Sequence, residues 1–457
     1  QGAFQALRYF QASQLVEPEN HWASVRMAQS QLLLGHWSEA EHRLNQIPAQ
    51  AREQDLRLSA FIDYWLAELA FRRHSPDEEQ KIDLAIKSAE RANSSAQMAL
   101  SYRLKARYAW RDMQWQNHQA WLTKADQLNS SNSELQTQAE NLFYLGNPTN
   151  EGLEKSPLND LRTNQERLLK ALNFYHQLNN QPMIAATQLA IAQNYSLPLK
   201  QRKQALEQSI VLYRQLQQPY ELAQALIYAG FYQMQLHQGQ IAYDYFAEAE
   251  KLAQQLGAHH LLSYSHFYLA FSLLDQGLDQ SAIGGHGQNK QKLNEAIAQL
   301  ERFIAGQSFP LLQTSSLIFL GWAYSDLGEY DTALDYLYQA QTLNQTFNMP
   351  TTAGYANYSI MRIHLARNDY SAVIAMENEP ITTRLQASYL ARAWYEAGQP
   401  TQAVRVLQEF HQLLPELWQE QDSQRLIQYM TAQSGQALQL HPEPLAHLTY
   451  CESDWLM

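Results

Sequence analysis

Between Thr314 and Asn344, apolar and small residues recur every three or four positions on both sides of a glycine turn. Leu317, Leu320, Gly321 and Tyr324 mark one stripe; Ala333, Leu337 and Ala340 mark a second; Leu327-Gly328-Glu329-Tyr330 joins them. That period is helical rather than extended. Two such stripes around a tight turn predict a helix–turn–helix hairpin. Gly321 and Ala333 leave room for the helices to cross closely, and Tyr324, Tyr330 and Leu337 fill the space around them. A hairpin this small cannot bury both stripes alone, so it must stack on others of its kind.

Those others are present. Met27, Ala28, Gly35, Trp37, Ala40 and Leu44 spell one hairpin. Leu226, Gly230, Ala242, Phe246 and Ala249 spell another, with its turn near Gly239. Leu390, Ala391, Trp394, Gly398, Ala403, Leu407 and Pro415 spell a third. Weaker copies have helices near 55–73 and 77–92, or span 97–128 with Trp115 at the turn and Ala125 in the second helix. Others cover 182–217, 259–305 and 350–377. The total is about nine or ten hairpins. Phe4 to Glu17, with Ala6, Phe10 and Leu15 as its apolar stripe, reads as a second helix without its first. The array is therefore expected to begin mid-repeat, and either the natural chain continues upstream of Gln1 or this helix is capped in another way.

The set of spacings in the 314–344 unit resembles the tetratricopeptide repeat, a unit of about 34 residues. The resemblance implies an all-α fold: a right-handed α-solenoid of about nine or ten stacked antiparallel helix pairs. Three interruptions divide it. Residues 148–160, with Pro148, Gly152 and Pro157, read as a loop or hinge between an amino-terminal array (1–147) and a carboxyl-terminal one (161–415). Residues 277–289, with Gly284-Gly285-His286-Gly287, read as an enlarged turn. Residues 416–457 read as a capping helix, Glu416 to Ser434, and an irregular tail.

Sites of chemistry are not expected. The chain has no phosphate-cradling Gly-Lys-Ser/Thr loop, no dinucleotide glycine fingerprint, no His-Glu-x-x-His helix and no Gly-x-Ser-x-Gly elbow. His259, His260 and His266 share or adjoin one helix, but no spacing supplies further metal ligands, so no metal and no cofactor is expected. Acid pairs such as Glu78-Glu79, and Glu248 with Glu250, fall on polar helix faces and read as solvated. The one cysteine, Cys451, can close no internal disulfide. A net charge of -12 argues against nucleic acid as a partner, and the densest basic group, Lys200, Arg202 and Lys203, reads as a solvated helix start. No apolar run approaches the roughly 20 residues of a membrane helix, so membrane insertion is not expected. The compartment stays open between the cytoplasm, which is favoured, and the periplasmic part of a membrane-anchored protein; the oligomeric state stays open too.

The family resemblance implies where a partner would lie: in the concave groove lined by the first helices. On each, the residues off the packing stripe are Ile227, Phe231 and Met234; Phe267, Phe271 and Asp275; Ile318, Trp322 and Ser325; Tyr358 and Arg362; and Ser388, Arg392 and Tyr395. Aromatic and Arg residues are common interface anchors. Chaperone-binding members clamp a terminal carboxylate with Lys and Asn on these faces; Ile318, Trp322, Ile227 and Phe231 depart from that pattern. An apolar peptide or amphipathic helix fits better.

The function expected is a non-catalytic interaction scaffold or sensor module. The second half is similar in style to the sensor regions of large bacterial regulators, as in Ile210-Val211-Leu212-Tyr213-Arg214-Gln215-Leu216 and Lys251-Leu252-Ala253-Gln254-Gln255-Leu256-Gly257. The alternative is a small-molecule-sensing domain of a bacterial transcription regulator or kinase. An enzyme finds no support in the residues.

Overall fold

The computed structural model describes residues 3–112, 114–129, 135–147, 161–194, 197–236, 238–278, 289–305, 309–379, 381 and 384–413. The 148–160 hinge, most of the 277–289 turn, the capping helix, the tail and Cys451 lie outside the described residues. Among the described residues there are twenty-two α-helices and no strand. Two helices precede or interrupt the pairing: α1 (Ala3–Val16) and the short α4 (Ala49–Gln54). The rest fall into pairs: α2 (His21–Leu33) with α3 (Trp37–Asn45), α5 (Leu56–Arg73) with α6 (Glu78–Arg91), and α7 (Ser95–Arg111) with α8 (Trp115–Asn129). Then come α9 (Leu135–Gly146) with α10 (Leu161–Gln177), α11 (Gln181–Ala192) with α12 (Leu199–Leu216), and α13 (Pro219–Gln235) with α14 (Gly239–Leu256). The last are α15 (His259–Gly277) with α16 (Lys290–Ala305), α17 (Pro310–Asp326) with α18 (Tyr330–Phe347), α19 (Pro350–Ala366) with the short α20 (Tyr370–Ala375), and α21 (Arg384–Glu396) with α22 (Pro400–Leu413). This is the all-α solenoid of stacked antiparallel helix pairs that the spacings predict. The short α4 was not legible in them, and Trp115 and Gly239 open second helices rather than sitting in turns.

Local chemistry sets the ends. Pro219, Pro310 and Pro350 each open a first helix, where the missing N–H costs nothing and the fixed φ suits the helix. Asp55 caps α5 by accepting from the Arg57 and Leu58 amides, and Asn20, Asn180 and Asp369 cap α2, α11 and α20 in the same way. Gly35, Gly328 and Gly398 turn the chain between paired helices at φ of 85°, 83° and 76°, a region that only glycine enters without strain.

The described residues form two compact units whose division falls within α15: the first up to residue 269, the second from residue 270. In unit 1 a representative core knot joins Ala67 and Phe71 of α5, Ile82, Ala85 and Ile86 of α6, and Leu104 and Tyr108 of α7, with Trp121 of α8 against it. Each helix thus packs on its pair and on the next pair. In unit 2 the crossing of α17 and α18 is close enough that a Cβ added to Gly321 would lie 2.6 Å from Leu337 Cγ. Ala333, Leu337 and Ala340 on α18 are fully buried.

One set of contacts in unit 1 is not between neighbours. The Gly35 turn lies against Pro219 and Leu256, so that a Cβ there would come within 2.8 Å of either side chain. Trp37 packs on Tyr220 with ring centroids 5.8 Å apart. The Arg72 guanidinium sits 4.4 Å over the Tyr220 ring and 2.9 Å from Glu221. The start of α13 therefore closes back on the first two helix pairs, and unit 1 forms a ring.

Candidate functional site

In a stacked array the first helices present one continuous surface, suited to extended ligands. In unit 1 that surface is polar and aromatic. Glu68 of α5 is buried, and it accepts from Arg72 at 2.7 Å and from Arg107 of α7 at 2.9 Å. Burial alone would raise the Glu68 carboxyl, but the two guanidiniums hold it below its ordinary value. Burial pushes the Tyr64 hydroxyl up, and the negative Glu68 adds to that. Arg103 of α7 stacks 4.0 Å over Tyr144 of α9 and donates to Asn141 at 2.9 Å. Trp22 of α2, Phe61 and Trp65 of α5 and the Arg26 guanidinium, 4.5 Å over the Phe61 ring, continue the face toward α2. None of these unit 1 residues stood out in the sequence. Their only signal is an i, i+4 spacing shared by many buried stripes.

The residues that sequence spacing placed on the groove meet different fates. Ile227 and Met234 of α13 and Phe267 of α15 are buried within unit 1. Phe231 stays half-buried, edge-on to Tyr268 at 4.1 Å and to Phe246 at 6.1 Å. In unit 2, Ile318, Trp322 and Tyr358 are buried. An aromatic ladder explains this: Phe271 stacks on Phe319 at 4.5 Å, Phe319 meets Trp322 at 5.2 Å, and Trp322 meets Tyr358 at 6.3 Å. The Trp322 indole N–H donates to Ser359 Oγ at 2.7 Å. Residues off the hairpin stripe pack on the next pair's first helix. The six buried side chains are thus core, whereas Phe231, Phe271, Arg362, Arg392 and Tyr395 are half-buried. Asp275, Ser325 and Ser388 are also buried. Arg362 donates to Ser325 Oγ at 3.1 Å and lies 3.6 Å from Asp326. Arg392 has no hydrogen bond or ion pair among the described residues.

Two readings of charge are corrected. Glu78 is not solvated: it is buried and bonded by the Arg111 guanidinium and, at 3.0 Å, by His74. Arg202 is not part of a solvated cluster; it is buried and donates to the Ala192 carbonyl at 2.9 Å. Glu248 is half-exposed and paired with Arg214 at 2.8 Å. Among the described residues no group of three or more His, Cys, Asp or Glu side chains is arranged to hold a metal ion. None of the described helices is long and apolar enough to cross a membrane.

Comparison with known proteins agrees with this geometry. Two profiles described as tetratricopeptide repeat match, one at residues 4–61 and one at 314–337 and 386–409. No curated protein sequence matches the chain. A Rap protein solved in complex with competence and sporulation factor aligns at a TM-score of 0.53 and 12% identity, over 84% of this chain and 99% of that one. Yeast Tom70 aligns at 0.45 and 12%, over 94% and 85%. The matched residues coincide with α1–α5, with α17 and the start of α18, and with α21 and α22, where the small-residue crossings were read. Profile, pairing and crossing geometry agree that the chain is a tetratricopeptide-repeat protein.

Proposed function

We propose that this chain is a non-catalytic interaction scaffold that takes a peptide or amphipathic helix along its first-helix faces, as the sensing or scaffolding part of a larger regulatory protein. The observation that carries this reading is the half-buried aromatic and arginine surface left on those helices, Phe231 in unit 1 and Phe271, Arg392 and Tyr395 in unit 2. Among the described residues Arg392 makes no ion pair, so a partner's acid can pair with it. The Rap protein bound to its factor is a precedent for this fold holding a ligand.

The test is capture from source-cell lysate with mass spectrometry, using the native chain beside a Phe231→Ala/Arg392→Ala variant matched for helicity by circular dichroism. A protein or peptide held by the first and lost by the second supports the reading. Identical capture by both, or stabilisation only by compounds from a small-molecule library, overturns it.

A further inference from the structure

Two first helices of unit 1 touch although three helix pairs lie between them in the chain. Arg72, in the last turn of α5, is 2.9 Å from Glu221, in the first turn of α13, and its guanidinium sits over the Tyr220 ring. An α-helix with its side chains is about 10–12 Å across. None passes between α5 and α13 at the level of that pair. Phe231, the residue of unit 1 proposed above to meet a partner, lies further along α13 by roughly 15 Å. A helix laid along α13 from Phe231 toward Pro219 therefore runs into a closed seam.

The seam is built from side chains: Trp37 on Tyr220, the Gly35 turn on Pro219 and Leu256, and Arg72 on Glu221. Among the described residues no backbone hydrogen bond crosses it. Each side keeps its own support without the other. Trp37 donates its indole N–H to the Leu32 carbonyl at 3.1 Å, inside its own hairpin. Arg72 keeps Glu68, one turn earlier on α5, at 2.7 Å. Across the seam, Arg72 Nη1 and Glu221 Oε2 have no hydrogen-bond partner among the described residues, so charge holds the pair without aligned bonds. The Glu221 side chain is already 16% exposed and returns to water when the pair parts. Opening thus leaves both sides folded and strands no buried charge. It also bares Trp37 and Tyr220, each 3% exposed in the closed ring. Aromatic side chains beside an arginine are frequent interface anchors.

We infer that the seam of Arg72 with Glu221 and Trp37 with Tyr220 is an autoinhibitory lock: it holds unit 1 shut, and an amphipathic helix lies along the first-helix face of unit 1 only when the ring is open. The inference rests on reading the chain as a scaffold for a peptide or amphipathic helix, and it names how that site is regulated. While the closed ring is favoured, the apparent affinity of unit 1 is reduced in proportion to the fraction of molecules that are open. A change that weakens the seam therefore tightens binding, the opposite of what the loss of a binding residue does.

The experiment compares the full chain unlocked and stapled. Glu221→Lys sets a like charge against Arg72 and should open the ring. Tyr220→Leu, which removes both ring contacts but keeps an apolar residue, is the second unlocking change. Gly35→Cys/Pro219→Cys, in a Cys451→Ser background, staples the ring. A Cβ on Gly35 lies 2.8 Å from Pro219 Cγ, one bond from Pro219 Cβ, which is within disulfide reach, and dithiothreitol reverses the bond. Circular dichroism checks that all variants are equally helical. Opening is read by double electron–electron resonance between spin labels on Ser38→Cys and Gln255→Cys, both exposed and on opposite sides of the seam, again with Cys451→Ser. The labels should give one short distance in the otherwise native chain and a second, longer one in either unlocked variant. Amphipathic helical peptides of about 18 residues are then selected on the unlocked chain from a random library and titrated by fluorescence polarisation. Hits weakened by Phe231→Ala should bind the unlocked chain about tenfold or more tightly than the native one. They should bind the oxidised staple about tenfold or more weakly than the same variant reduced. Equal binding throughout, tighter binding to the oxidised staple, or one unchanged label distance in both unlocked variants overturns the inference and leaves the scaffold reading standing. Hits that need only Arg392 do the same. The absence of any hit that needs Phe231 or Arg392 overturns both.

Discussion

Replacing Glu68 by Gln is the sharpest test of what holds the ring of unit 1 together. Glu68 is 2% exposed and binds two arginines, and one of them, Arg72, also reaches Glu221 at the closure of the ring. Removing one partner of a buried ion pair costs about 3–5 kcal/mol. Two features pull the value to the lower end. The Arg107 side chain keeps 34% of its surface in water, so its share is screened. Gln can still accept from Arg72 Nε. The expected loss is therefore about 3 kcal/mol, or roughly 6–12 °C in melting temperature for a unit of this size. The pH dependence gives a second reading. The folded-state pKa of Glu68 lies below its ordinary value, because Arg107 and Arg72 outweigh burial. Its contribution is then complete above the unfolded value of about 4.3 and is lost as pH falls through the lower folded value. Urea titrations followed by tryptophan fluorescence at pH 7 and pH 3 measure both. A gap between native and variant that is full at pH 7 and shrinks at pH 3 agrees with the argument. A loss under 1 kcal/mol at pH 7, or an equal loss at both pH values, refutes it.

Three further outcomes are expected. Gly321→Ala forces its new Cβ against Leu337 and should cost about 1–3 kcal/mol despite the better helix propensity of alanine, measured by thermal melting. Asp55→Ala removes two capping bonds on α5 and the acceptor of the Trp22 indole, and should cost about 1–2 kcal/mol, with faster amide exchange in the first turn of α5. Trp322→Phe keeps the aromatic ladder but removes the bond to Ser359, whose hydroxyl still donates to the Tyr355 carbonyl at 2.7 Å; the cost should be about 1 kcal/mol by urea titration.

The hairpins were readable because their information is local. Gly328 and Ala333 sit a few residues apart, and the helical period does the rest. The groove residues were read less well, for a physical reason. Spacing on one helix says which side chains leave the hairpin stripe, but not whether they meet solvent or the next first helix. Trp322 meets Tyr358 and Ser359, which lie a whole repeat further on. Phe231 and Phe271 come from the same kind of position and remain half-open. Charge was harder still. Nothing near Glu78 in the sequence announces Arg111, and nothing near Arg72 announces Glu221.

An open array of repeats unfolds from its ends, since a terminal pair has one neighbour and an internal pair has two. In unit 1 the Gly35 turn and Trp37 gain a second neighbour in Pro219, Tyr220 and Leu256. The one-dimensional chain of couplings becomes a circular one, and fraying has no free end at α2 or α13 from which to start. Unit 1 should therefore lose its structure in a single step rather than repeat by repeat. During synthesis, α2 to α5 must wait for α13 before they reach full stability.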